Sequence, residues 1–277
     1  ENVAGVTAME IGSGVSKPMI RGLGFTRIAV TENGIKQEGQ QWGADHGLEI
    51  DALQAEEVEI IKGVGAIAYG SDAIGGVIRI NNEKIPQENS TSGNVILHGK
   101  TVNDAIGASF NFQHRKENWF FKAKFSGVDY ADFKVPTSEV NYLNTKIPIY
   151  NNRMKNTAGD EYSVYLQGGY VSDSFQSILS VSNLKSKIGF FAGAHGIPSV
   201  GAVTDDGNYR DVGFPYQTVN HFKVTSSNKW KKPHSEWNAI FSFQQNHRQE
   251  WSLFHSHYSN QQAPSVNPNL ELDFVLN

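Results

Sequence analysis

The chain has no cysteine among its 277 residues. That absence excludes disulfides, zinc–thiolate sites and thiol nucleophiles. No run of about 18 apolar residues occurs, so the sequence holds no transmembrane helix. Charge is sparse: Asp, Glu, Lys and Arg make up 19% of the chain, against roughly 25% in soluble domains. The net charge is −4 with no long block of either sign, which argues against a nucleic-acid partner. Neither G-x-x-x-x-G-K-[ST] nor G-x-G-x-x-G opening a helix is found. A triad of Ser71, Asp72 and His195 lacks both the G-x-S-x-G elbow and any supporting spacing. The first ten residues, ENVAGVTAME, have neither a basic n-region nor an apolar core, so no signal peptide is visible in them.

What is present divides the chain in two. Residues 1 to about 88 mix short apolar runs with Gly and acidic residues and read as a small α+β unit. Glu32-Asn33-Gly34 marks a turn, and Asp51 is placed to cap one helical turn before a short strand. The polar stretch Asn81–Gly93 reads as a linker. Beyond it the pattern becomes strict alternation. Ile106, Ala108, Phe110 and Phe112 share one face, as do Trp119, Phe121, Ala123 and Phe125, and later Trp237, Ala239, Phe241 and Phe243. About eight such strands are expected, the weaker ones at Asn94–Thr101 and Leu270–Leu276. The opposite faces carry Asn, Gln, Ser and some Lys, and aromatics stand near strand ends at Trp119, Tyr130, Tyr170, Trp230 and Trp237. Long connections stand at Val128–Glu161 and Lys185–Thr218, as on one side of an outer-membrane barrel. The pattern fits a membrane-spanning antiparallel β-barrel with a wet lumen, the alternative being a soluble β-rich binding domain such as a sandwich.

Two segments carry a family resemblance. Ile20-Arg21-Gly22, the Asn33-Gly34 turn, Val58-Glu59-Ile60-Ile61-Lys62-Gly63 and the block Tyr69-Gly70-Ser71-Asp72-Ala73-Ile74-Gly75-Gly76-Val77-Ile78 follow one another in order. This series resembles the plug domain of TonB-dependent outer-membrane receptors. The resemblance implies that residues 1–88 are the C-terminal part of a plug and residues 89–277 the first strands of an outer-membrane β-barrel. Plugged barrels have about 22 strands, so the chain is expected to be a fragment holding an incomplete barrel. The resemblance also implies a bacterial outer-membrane location, surrounding lipid, TonB as the energy-transducing partner acting through a plug N-terminus absent from this chain, and no catalysis. In the family, plug residues matching Arg21 and Lys62 pair with barrel acids, and Glu59 lies in the same motif. Lys62 stands where Arg is usual and keeps the charge without the bidentate fork. Val64 stands where Pro is usual.

Candidate ligand contacts gather in loops. Asp45, His46 and Glu49 lie within five residues, a donor set suited to zinc, copper or iron. Asp-His at this place resembles the zinc and haem receptor subgroup. His195 sits in a Gly-rich loop, and His255 and His257 share one face of an extended segment. His98, His114, His221 and His234 receive no role. The expected ligand is a transition metal ion or a metal chelate such as haem or a ferric siderophore, carried as cargo with no resident cofactor. A glycan importer of the same fold is the alternative.

Overall fold

The computed structural model describes residues 3–11, 14–37, 47–142, 144–191, 203–204, 207–253 and 269–276. The N-terminal unit opens with a hairpin of β1 (Val6–Ile11) and β2 (Val15–Ile20). A four-stranded sheet follows, made of β3 (Ile28–Glu32), β4 (Ile35–Lys36), β5 (Glu57–Ile61) and β6 (Gly76–Asn81). Its order is β4-β3-β6-β5, with β3 and β6 parallel and the other pairs antiparallel. Period-2 alternation gives this sheet two apolar sides. Ile28, Val30, Ile78 and Ile80 pack with Ile20 on one side. Ala29 and Val77 pack with Ala66 and Ala73 on the other.

The helical content of the unit differs from the sequence expectation. At Asp51 there is a side-chain-capped turn, in which Asp51 Oδ1 accepts from Leu53 N at 2.8 Å, and no helix continues from it. The Gly/Ala-rich stretch folds as tight three-residue-per-turn segments at Gly63–Tyr69 and Ser71–Ala73. Glycines interrupt any longer helix there. Gly76 has a φ of +139°, and a Cβ on it would meet Ile61 O at 2.9 Å, so this position of the Gly-Gly pair admits no side chain.

The rest of the chain is one eight-stranded antiparallel meander. It comprises β7 (Ser90–Lys100), β8 (Ala105–Lys116), β9 (Trp119–Tyr130), β12 (Gly159–Val171), β13 (Phe175–Gly189), β14 (Tyr216–Lys232), β15 (Ser235–Leu253) and β16 (Asn269–Leu276). A small hairpin of β10 (Glu139–Tyr142) and β11 (Thr145–Pro148) stands in the connection after β9. Links at 117–118, 172–174 and 233–234 are short and lie at one end, whereas the long links at 131–158, 190–215 and 254–268 lie at the other, together with the four-residue link 101–104. The sheet is open, with β7 and β16 at its edges.

Its two faces invert the usual soluble arrangement. Trp119 and Phe241 on the outward face are 67% and 68% exposed, while Lys122, Gln167 and Gln217 on the inward face are each 1% exposed. Such a wall, apolar outside and polar inside, belongs to a barrel in lipid. Aromatic rings trace both of its rims. Trp119, Tyr170, Phe175 and Trp230 run side by side at the short-turn end, with centroid separations of 5.1, 6.3 and 5.6 Å. Phe214, Tyr216 and Trp251 do the same at the other end, at 5.4 and 5.9 Å. Tyr216 and Trp230 are the outermost of the three outward aromatics of β14, with Phe222 between them. At about 3.3 Å per residue and a tilt of about 45°, the strand between them covers roughly 33 Å along the normal, the thickness of a bilayer core. Tyr130, expected among the rim aromatics, is instead 7% exposed and points inward, because it shares the parity of Lys122 and Lys124.

Candidate functional site

The N-terminal unit lies against the inward face of the wall, and the contact between them is mostly ionic. Glu49 is its centre. Its carboxylate accepts from Asn246 Nδ2 at 2.5 Å, lies 2.6 Å from His221 Nδ1, and pairs with Arg248. Arg248 also donates to Gln217 Oε1 at 2.5 Å, and Gln37 Nε2 donates to Glu49 O at 3.1 Å. Glu49, His221 and Arg248 are all buried. Burial alone would raise the Glu49 pKa, but His221, Arg248 and Asn246 outweigh it and hold the carboxyl below its ordinary value.

Two further contacts repeat the scheme. Glu32 pairs with Lys223 and accepts from Asn82 Nδ2 at 2.9 Å. Burial again opposes ionisation, and Lys223 and Asn82 overcome it, so the Glu32 pKa is also lowered. Glu56 Oε1 lies 2.6 Å from Lys122 Nζ and 3.0 Å from Lys124 Nζ. Both lysines also cap backbone carbonyls, Lys122 those of Asn82 and Lys84 at 3.0 Å each and Lys124 that of Gln54 at 2.8 Å. Asp51 accepts from Ser126 Oγ and behaves oppositely, since burial outweighs its hydrogen bonds and raises its pKa. Apolar contact is minor: Val15 packs with Ile188 and Phe190. Gly14 lets the Tyr130 hydroxyl come close, and a Cβ there would also meet Ile188 Cγ2 at 2.8 Å. Gln37 Oε1 and Asn246 Oδ1 have no protein partner, as in an interface that admits water.

Residues 1–77 match the family model described as TonB-dependent Receptor Plug Domain. These residues are a plug domain of that type. The wall after the plug has the fold of that family's barrels. The whole chain superposes on the siderophore receptor PirA from Acinetobacter baumannii with a TM-score of 0.66 at 14% identity, covering 98% of this chain and 39% of that one. By sequence, the chain is 32% identical to the vitamin B12 transporter BtuB of Vibrio vulnificus over 38% of its own length and 19% of that protein's. It is 38% identical to the iron-regulated outer membrane virulence protein of Vibrio cholerae over 35% of its length and 16% of that protein's. The chain therefore spans well under half of the receptors it resembles.

The sequence-derived candidates fall in different places. Asp45, His46, His195, His255 and His257 lie outside the described residues. Glu49 is inside the plug–barrel contact, with both carboxylate oxygens engaged. Arg21, Glu59 and Lys62 make their contacts within the plug. Arg21 N donates to Gly5 O at 2.8 Å, Glu59 pairs with Arg79, and Lys62 Nζ donates to Ala4 O at 2.7 Å. Among the described residues no group of three or more His, Cys, Asp or Glu is disposed to hold a metal. The ion pairs that seat the plug on this wall run with the opposite polarity to the expected one, plug acids meeting barrel cations. Sequence reading missed Lys122, Lys124, His221, Lys223 and Arg248. Their shared parity with buried Ser and Gln on the same strands is the signal that could have found them.

At the long-connection end a second charged group ties the connections together. Asp104 lies 2.6 Å from Lys134 Nζ and 2.5 Å from Arg153 Nη2, and these two cations hold its pKa down at about 2. Asp132 accepts from Thr157 N at 2.6 Å and Ala158 N at 2.9 Å, yet burial pushes its pKa up to about 6.

Proposed function

We propose that the chain forms the plug and part of the barrel of a receptor that imports a transition metal ion or metal chelate, driven by TonB acting on the plug. One observation carries this reading: the plug keeps its own apolar core but meets the wall through ionic contacts at Glu32, Glu49 and Glu56. An element with a private core and a polar seat can shift without either partner unfolding. The names of the relatives support the cargo class, since they concern iron, vitamin B12 and siderophores. Asp45, His46, His195, His255 and His257 are the proposed ligand contacts, because imidazole and carboxylate suit such metals.

The test is uptake by the full-length receptor in cells lacking their own route for the probe. Radioactive iron in several chelates, zinc, copper and cobalamin are offered with and without TonB. Accumulation of one metal form that stops without TonB is expected, and His46→Ala should weaken its binding. Uptake of an oligosaccharide with no metal form accumulated would replace this reading with the glycan importer.

A further inference from the structure

The outward face of the wall is not apolar throughout. One row of the strand register on it reads Tyr162, Lys185, Asn220 and His247, side by side across β12 to β15. Two outward steps nearer the middle, the same strands carry Leu166, Val181, Val224 and Phe243. Tyr162 and Lys185 share strand parity with Val164 and Leu179, both exposed on the outward face. Asn220 lies four residues along β14 from Tyr216, in the aromatic rim at the long-connection end. The row therefore stands about 9 Å inside that rim, at about 3.3 Å per residue and a tilt of about 45°. Tyr162, Lys185 and Asn220 are exposed, and none of their side chains has a hydrogen-bond or ion-pair partner among the described residues. The next row toward the rim compensates its own charges. Arg210 pairs with Asp129, and Lys187, beside Asp160 in the register, has its Nζ 4.7 Å from the centre of the Tyr216 ring. From the Lys185 row to that of Trp119 and Tyr170, Lys185 is the single Asp, Glu, Lys or Arg on the outward face of β9 and β12 to β15.

An ammonium on a lipid-facing surface is costly unless its chain reaches the interface and meets an anion there. Alkyl tails offer the phenol and the amide no acceptor either. At the depth of the row the anions of a leaflet are lipid phosphates, and the long connections mark the outer leaflet. We propose that Lys185, flanked by Tyr162 and Asn220, binds the phosphate of a lipid headgroup in that leaflet. Two interstrand spacings put the three donors within about 10 Å. Such a strip is far smaller than the roughly 800 Å² that a stable protein contact covers on each partner. The ligand is a lipid of the surrounding membrane, separate from the cargo, so the site stands whether or not the proposed uptake does.

The test offers phosphatidic acid or diacylglycerol to the full-length receptor, refolded in detergent free of native lipid, and counts bound lipid by native mass spectrometry. Phosphatidic acid is expected to be retained and diacylglycerol lost. Lys185→Gln should weaken retention about tenfold, the loss of one charge-assisted contact. Tyr162→Phe and Asn220→Ala should weaken it less. Lys187→Gln should leave it unchanged, because that ammonium is already held over the Tyr216 ring. Equal retention of the two lipids by the unsubstituted receptor overturns the site, and that result needs no variant to fold. So does an equal loss in Lys185→Gln and Lys187→Gln, or no loss in either. Displacement by millimolar inorganic phosphate would make the row a free-anion site and remove the lipid from it. A polypeptide cross-linked in cells through a photoreactive residue in place of Tyr162 would make it a protein interface instead.

Discussion

The plug and the wall are built from the same period-2 strands but bury opposite faces. In the plug, Ile28, Val30, Ile78 and Ile80 turn inward onto Ile20, so it carries its core with it. In the wall, Phe110, Phe125 and Phe241 turn outward and the inward side is Ser, Gln, Lys and Arg. Lipid outside supplies what a core supplies elsewhere. Two such units cannot meet through apolar surface, and their seat is left to charge. Cohesion within each unit and adhesion between them thus rest on different physics and can be varied independently.

Acid strikes the adhesion most, and has the largest expected effect. Glu32 and Glu49 have folded pKa values below the ordinary one, so their contribution is fully present above about pH 4.3 and lost as pH falls through the lowered values. Asp51, with its raised pKa, works in the other direction. Protease clipping of the plug in the full receptor should be constant from neutrality to about pH 5 and rise steeply below about pH 4. A wall that melts over the same range would erase the distinction between the units. Removing one carboxylate is the next largest change. Glu49→Ala leaves Arg248 and His221 buried without their anion and should cost plug seating about 3–5 kcal/mol. The urea midpoint of plug release should drop while the heat resistance of the barrel on gels stays unchanged.

Cohesion inside the plug is tested by Ile20→Ala, which empties a fully buried site and should cost about 2–5 kcal/mol. Hydrogen exchange should speed up in β3 and β6 but not in β12 and β13. Gly14→Ala works at the boundary, where the new methyl meets Tyr130 and Ile188, at about 1–3 kcal/mol. Tyr130→Phe should recover part of that loss in the double variant, and the absence of any recovery would remove the proposed close approach. Smallest is Lys146→Ala in the outer hairpin. Its pair with Glu139 is exposed on both sides, so the change in stability should stay within roughly 0–1 kcal/mol.

Much of the architecture was legible beforehand. Alternation at Ile106, Ala108, Phe110 and Phe112 identified the outward face of β8, and the long links after β9 and β13 were picked out before any strand was seen. The Asn33-Gly34 turn and the capped turn at Asp51 were also readable, because turn chemistry is local. Other features were not readable. Tyr130 looked like a rim aromatic because residue type was weighed above parity, and the structure sends it inward beside Gly14. His221 received no role, although it shares the face of Lys223. Its partner Glu49 lies far away in the chain, and nothing local joins them. Glu49 itself was taken with Asp45 and His46 as a possible metal donor because the three are close in sequence. Its side chain instead turns to β14 and β15.

The sequence by itself determined which face of each strand is apolar, where the chain turns, and which family its first 77 residues match. Those properties follow from period, residue type and order, all of which are local. Only the tertiary structure decided that plug carboxylates meet wall cations and which ones they meet. An ion pair depends on distance in space, and docking a separate plug onto a curved wall sets distances that no spacing along the chain records.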